Sequence, residues 1–454
     1  MTFIKKMMTS RFLIAALLAV TLQQILVSIG TYLIGLMAKE IATGNINFMY
    51  AVGIIAATIL PGSFFHYIIT YLSTKAIKQS QYDYVIEYSM QNFNHPEHWR
   101  VEKSKSARHN LMIRSAHDAI TEGVHAAVDF ASTSINVIAN SVSIFYLTNG
   151  YMTSSIFIGG IAGLAIVAMA GKSIMRSTDE ALKSDSEVSG VLAKSWDNVI
   201  LGNQRFFQNW LKKFKTTFGN NTKSNIAVVK IRDFWTSVAA VVTTGIVSGT
   251  AIGLLFFHQA NKALLVGLIV MLPRSLQCAS HLQILQMYFA YWKSIRQKFS
   301  MIESSYADFD SVDVRDYIHD DRIRVTKMDS IELSMTLESF ISELPHLTSG
   351  RFRIQGENGC GKSSLLIHIK KVLGESALFI PAQHTLEHKN LSMSNSSGEN
   401  ALHLLKDTTA NLKGALLLDE WDANLSSKNR EIMDSEIQSL ANHQLVVEVV
   451  HQRS

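Results

Sequence analysis

From Phe12 to Met37 the chain carries no charged side chain. As a helix rising 1.5 Å per residue, this run reaches about 39 Å, enough to cross a hydrocarbon core of about 30 Å. Buried helices of soluble domains rarely run past twenty uncharged residues, so the stretch predicts a membrane span. A basic start, MTFIKKMMTSRF, precedes it as in a secretory signal. No small-residue cleavage pattern interrupts the apolar character before Met37, so the reading is a retained span.

Five further runs follow, at 48–73, 122–148, 153–171, 234–257 and 264–290. The second is broken only by Pro61 and His66. The third opens with Glu122, His125 and Asp129, and the sixth contains Pro273 and Arg274. The mean hydropathy of +0.14 and the 17% of charged residues fit this reading, since soluble domains carry about 25% charge. The length of 454 residues suggests two or three domains. Cys278 and Cys360 are the only cysteines, and they make no disulfide or metal framework.

The basic residues predict an orientation. Seven Lys and Arg fall in 75–121 and eleven in 172–232, whereas the alternate loops hold only Lys39 and Lys262. By the positive-inside bias, the N-terminus and both long loops are cytoplasmic. Those loops repeat apolar residues at helical spacing, as in QYDYVIEYSMQNF and VLAKSWDNVILGNQRFFQNWLKKF. The spans are therefore expected to continue as helices into the cytoplasm and to turn at NHPEHW and near LGN.

An acidic stretch, 304–321, reads as a linker into a domain of different character. In it, RFRIQ predicts a strand and SLLIHIKKVL a helix. Between them Gly356, Glu357, Asn358, Gly359, Cys360, Gly361, Lys362 and Ser363 fit G-x-x-x-x-G-K-[ST], with Ser364 next. Such a loop turns backbone N–H groups onto phosphate oxygens, with Lys362 neutralising charge and Ser363 ligating Mg²⁺. Downstream, ALLLDEW predicts a strand ending in Asp419, which would hold Mg²⁺, and Glu420, which would polarise the attacking water.

With these motifs in order, the chain resembles an ABC transporter half of the exporter type: an all-α six-helix transmembrane domain with long cytoplasmic extensions, then a reduced α/β P-loop ATPase domain. The resemblance places Gln383, in IPAQ, as the Q-loop Mg²⁺ ligand. It places Ser396, Ser397, Gly398 and Glu399, in NSSGEN, on the last four positions of the signature. His451, 32 positions after Asp419, matches the switch histidine that contacts the γ-phosphate. In that family the signature of one copy caps ATP bound to the other, which implies a homodimer or a pairing with another half-transporter. Cofactors would be ATP and Mg²⁺, the location the bacterial inner membrane, and nucleic acid no partner.

Several positions depart from the family. Lys362 and Asp419 are only 57 positions apart where over a hundred are usual. Asn395 replaces the leading Leu of the signature, Ser426 the D-loop aspartate, and RIRVTKM offers no aromatic for adenine. For the substrate path, ionisable residues within spans are the candidates: Arg274, Asp129 with His125 one turn earlier, His66 and His281. Polar stretches such as STSIN suit a small amphipathic peptide or drug-like cargo, and the outline resembles exporters of peptide antibiotics that confer self-immunity. Two other readings remain: a nucleotide-gated switch with little hydrolysis, and a proton-driven permease carrying a relic ATPase domain.

Overall fold

The computed structural model describes residues 2–43, 48–99, 116–148, 150–257, 262–307, 314–328, 333–382, 386, 403–404, 406, 414–423 and 425–450. The chain divides into two units. One comprises Met1–Gln91 and Ser106–Asp308, the other Asn92–Lys105 and Phe309–Ser454.

The first unit is helical. Its helices are α1 (Thr2–Met8), α2 (Arg11–Thr43), α3 (Phe48–Gln91), α4 (Ala116–Thr148), α5 (Tyr151–Met169), α6 (Gly171–Leu192), α7 (Ser195–Ile200), α8 (Gln204–Phe257) and α9 (Lys262–Ala307). Five of the six predicted runs fall within one long helix each; the run 153–171 passes the end of α5 at Met169 and reaches the first residue of α6, Gly171. Helices α3, α8 and α9 extend well beyond their runs. Helix α2 packs on α3 and α4, α5 on α8, and α9 on α4, α5 and α8. Close approach of α5 to α8 uses Gly159, whose carbonyl accepts from Thr243 Oγ1 at 3.0 Å. Small residues allow such approach where both surroundings and partner are apolar. The core of this unit includes Phe3, Leu13, Tyr84, Ile120 and Phe299 in one cluster and Ile144, Ile156 and Val247 in another.

Among the described residues, four helices are long and apolar enough to cross a membrane: those within Arg11–Ala38, Phe48–Gln91, Tyr151–Met169 and Gln204–Phe257. The runs at 122–148 and 264–290 lie in helices α4 and α9, which carry polar side chains along their length. Helix α4 carries Asn136 and Asn140, and α9 carries Arg274, Gln277, Gln283 and Gln286. On α2 the exposed side chains include Ile14, Leu18, Leu22, Ile25 and Ile29. Their spacing of three and four puts them in one stripe along the helix.

The second unit is built on a six-stranded sheet in the order β2-β1-β3-β6-β5-β4. The strands are β1 (Ile323–Lys327), β2 (Leu333–Met335), β3 (Gly350–Gly356), β4 (Ala377–Ile380), β5 (Ala415–Asp419) and β6 (Leu445–Val449), joined by helices α10 (Leu337–Glu343), α11 (Lys362–Leu373) and α12 (Ser427–Ala441). Strands β3, β6, β5 and β4 are parallel, and β1 and β2 extend the sheet antiparallel. Every residue of β5 and β6 is buried, as expected of parallel strands covered on both faces.

Two expectations are corrected here. The described parts of 304–321, expected as a linker, are structured: 304–307 belong to α9, and Val314–Tyr317 forms a 3-10 turn packed on α11 with Val314 buried. The boundary falls between Asp308 and Phe309. The predicted turn NHPEHW does end α3, yet Pro96–His98 forms a 3-10 turn that packs on α11 and so belongs to the second unit.

Candidate functional site

Parallel strands bring their carboxyl ends to one edge of the sheet, where the loops that bind ligands gather. Here that edge receives Gly356 from β3, Val449 from β6, Asp419 from β5 and Ile380 from β4. The chain leaves β3 through Glu357–Gly361 and enters α11 at Lys362. Gly359 and Gly361 take φ of +88° and +97°, a left-handed region closed to most L-residues. A side chain on Gly361 would also collide with the carbonyl oxygen of Tyr317. The loop is thus a cradle that side chains would fill, and its floor is the N-terminus of a twelve-residue helix.

Lys362 bends back over this cradle, donating from Nζ to the carbonyls of Gly356 at 2.8 Å and Glu357 at 3.0 Å. Ser363 Oγ donates to Asp419 Oδ1 at 3.0 Å. Asp419 is itself buried at the end of β5. Next to it, Glu420 has φ of +48°, unusual for a residue with a side chain. Its N–H donates to the carbonyl of Val449 at 2.8 Å, which pins the acid to the end of β6. A cleft of about 500 Å³ opens over these groups, and Tyr317, Asn358, Lys362, Ser363, Glu420 and Glu97 are among the residues lining it.

A hydroxyl and a carboxylate oxygen meeting at a helix N-terminus suit Mg²⁺, a hard cation that keeps waters and substrate phosphates as its other ligands. Among the described residues no group of three His, Cys, Asp or Glu offers a self-sufficient metal cage. The donor set fits a metal carried in with a phosphate.

No model of a known protein family matches the chain, and no curated protein does. The site therefore has to be read from its own geometry.

The loop from Gly356 to Ser364, Asp419 and Glu420 come together at one edge of the sheet. Gln383, Ser396, Ser397, Gly398, Glu399 and His451 lie outside the described residues, as does Asn395 of the altered signature. Strands β4 and β6 end three and two positions before Gln383 and His451. Ser426, in place of the D-loop aspartate, is the N-cap of α12 and accepts from Asn429 N at 3.3 Å. Asp129 accepts from Tyr288 Oη at 2.8 Å, and Arg274 bonds Asn140 and Gln277, so the two proposed path residues are not brought together.

Three contributors escaped the sequence reading. Tyr317 supplies the aromatic side chain at the cleft that was sought and not found in RIRVTKM. It hid in a stretch whose acidity read as a linker. Glu97 reaches the cleft from the turn after α3 and lies 3.3 Å from His95 Nδ1 and 3.9 Å from Lys371 Nζ. Burial alone would raise its pKa, but its own backbone amide, His95 and Lys371 outweigh that and hold it below the usual glutamate value. The third is Glu448, the single acid within LVVEV. It is fully buried and accepts from Trp421 Nε1 at 3.0 Å, one residue beyond Glu420.

Proposed function

We propose that this chain is one half of an ATP-driven exporter of the ABC type, working as a homodimer in a bacterial inner membrane. The observation that carries the nucleotide half of the reading is the 3.0 Å contact of Ser363 Oγ with Asp419 Oδ1, at the sheet edge that also presents Lys362 and Glu420. The membrane half is supported by four helices long and apolar enough to span, one of them with its exposed stripe of Ile and Leu.

In this reading the backbone N–H groups around Gly359 and Gly361 and the N-terminus of α11 bind the phosphates. Lys362 exchanges its two loop carbonyls for β- and γ-phosphate oxygens. Ser363 and Asp419 hold Mg²⁺, which supplies charge neutralisation between those phosphates. Glu420 accepts the proton of the attacking water, its position set by the bond to Val449. Tyr317 stacks on the base. The signature residues Ser396, Ser397, Gly398 and Glu399 close the site of the second copy, and Gln383 and His451 complete each site from β4 and β6. The cargo is a small amphipathic peptide or similar compound, leaving the cytoplasm.

Mg-ATP hydrolysis by the purified chain in lipid nanodiscs tests this, beside Glu420→Gln and Lys362→Ala. Turnover that both substitutions abolish is the expected result. Nucleotide binding without turnover, across lipids and cargos, would replace the exporter by a nucleotide-gated switch. Transport that survives Lys362→Ala but fails in Asp129→Asn would replace it by a proton-driven permease.

A further inference from the structure

Arg274 sits in α9, 12 positions past Lys262, or about 18 Å along the helix from its start. If α9 crosses the membrane as its sequence suggests, that is deep within a hydrocarbon core of about 30 Å. Ionisable groups at such depth normally pair with an opposite charge or line a path. Among the described residues Arg274 has neutral partners only. Its Nε and Nη2 donate to Asn140 Oδ1 at 3.2 and 3.0 Å, and its Nη1 donates to Gln277 Oε1 at 2.5 Å. A guanidinium has five N–H donors and stays protonated in proteins, so two donors have no acceptor among the described residues.

Acids on the helices that meet at Arg274 include Glu40, Glu122 and Asp129, and Glu40 accepts from Tyr50 Oη at 3.1 Å. Glu122 pairs with Lys298 at 2.7 Å, and Asp129 accepts from Tyr288 at 2.8 Å. Asp129 also precedes Asn140 by 11 positions on α4, about 16 Å along the axis.

Arg274 is held in place by a polar seam. Asn140 is fully buried, and its Oδ1 also accepts from Thr31 Oγ1 at 2.6 Å. Its Nδ2 donates to Asn136 Oδ1 at 3.1 Å, and Asn136 in turn donates to Gln24 Oε1 at 2.7 Å. Three helices thus orient one cation, and none supplies an anion. Two turns further along α9, His281 has a buried Nδ1 with no partner. Between α2 and α4, within a turn of Asn140, a cleft of about 310 Å³ is lined by Ser28, Ile29, Tyr32, Val142, Ser143 and Tyr146. It is apolar in part, with four hydroxyls.

We infer that Arg274, clamped by Asn140 and Gln277, is the binding site for a carboxylate, and that the cargo is an amphipathic molecule carrying one. The two spare N–H groups of the guanidinium suit the two oxygens of a carboxylate. The Asn140 clamp fixes the fork before the ligand arrives, so little side-chain freedom is lost on binding. The word cargo rests on the exporter reading above; the carboxylate site does not.

The test uses the full chain in nanodiscs of neutral phosphatidylcholine, so that lipid charge does not bias an anionic probe. The probes are N-acetyl-Leu-Leu-Phe with a free C-terminal carboxylate and the same tripeptide as its C-terminal amide. Binding is read by thermophoresis at pH 7.5, without nucleotide. The free acid is expected to bind about tenfold or more tighter than the amide. Arg274→Gln should remove that preference, and so should Asn140→Asp, which puts a carboxylate of the protein on the same guanidinium. A purely structural arginine predicts weaker folding in Arg274→Gln but no acid preference in the parent. Equal binding of acid and amide to the parent, including none by either up to millimolar concentration, overturns the inference. So does a preference that survives Arg274→Gln; if that variant does not fold, a preference surviving Asn140→Asp decides against it. A chain that prefers the acid but never hydrolyses ATP leaves the carboxylate site standing and removes the exporter.

Discussion

Removing the Glu448 carboxylate probes how the sheet edge at the candidate site is held. Glu448 is fully buried in β6 and is surrounded by donors. Arg351 reaches it through Nε at 3.1 Å and Nη2 at 2.9 Å, Arg353 through Nε at 2.9 Å, and Trp421 through Nε1 at 3.0 Å. Burial alone would lower the pKa of Arg351, but the bonds to Glu448 and Asp434 outweigh it and raise the value. Glu448→Ala strands a buried guanidinium, a change that costs about 3–5 kcal/mol. Arg351 keeps only Asp434 at 2.6 Å and Gln438 at 3.2 Å. Asp434 is half exposed, so Asp434→Asn should cost about 0.5–1 kcal/mol. Glu448→Gln retains one carbonyl oxygen and should fall between, at about 1.5–3 kcal/mol. For a unit of this size each kcal/mol lowers Tm by about 2–4 °C. Calorimetry of the full chain in nanodiscs reads this, the transition of the second unit being the one that added nucleotide raises. Glu448→Ala should lower it by about 6–20 °C. Equal shifts for Glu448→Ala and Asp434→Asn, or less than about 2 °C for the former, would refute the reasoning.

Gly361→Ala places a methyl at φ of +97° and against the Tyr317 carbonyl. The backbone term alone is about 1–2 kcal/mol, so binding of a fluorescent ATP analogue should weaken about tenfold or more while helical circular dichroism is kept. Ser363→Ala should bring the ATP affinities measured with Mg²⁺ and with chelator close together, because it removes one of the two protein oxygens offered to the metal; an unchanged ratio would place the metal elsewhere. Tyr317→Ala should weaken ATP binding by about 3- to 10-fold through lost stacking, with Tyr317→Phe near the parent. Equal losses in both would mean that the hydroxyl, not the ring, is what matters.

Much of the helical unit was legible because apolar runs and helix breaks are local signals. NHPEHW ends α3, and Gly202, at φ of +68° in LGN, separates α7 from α8. What local signals could not show is how the polar side chains of α4 and α9 are satisfied. Their amides pair across helices, as Asn136 with Gln24 and Gln283 with Thr244 at 2.7 Å, and the partners are far apart in sequence. The phosphate loop was legible from spacing because the chemistry demands glycines, a lysine and a hydroxyl within eight residues. Tyr317 and Glu97 were not. Each approaches the cleft from outside the sheet, and its place depends on packing against α11, which no periodicity encodes. Glu448 left a trace, since an acid inside a buried strand needs partners, but the identity of Arg351, Arg353 and Trp421 required the strand order.

The short interval between Lys362 and Asp419 bears on whether so small a domain supports the proposed chemistry. A parallel crossover needs only about a dozen residues. From the end of α11 at Leu373 the chain enters β4 at Ala377, and β5 begins at Ala415. Strands β4 and β5 and both ends of the Ser363–Asp419 contact are present within that interval, and β3 and β6 flank it in the chain. The shortening therefore falls outside the elements that position Lys362, Ser363, Asp419 and Glu420. Nucleotide binding by one copy should survive it. Steps that need the signature, in the interval between β4 and β5, are where a reduced turnover would originate, so Glu399→Ala should lower turnover while leaving the affinity of one copy for ATP close to the parent's.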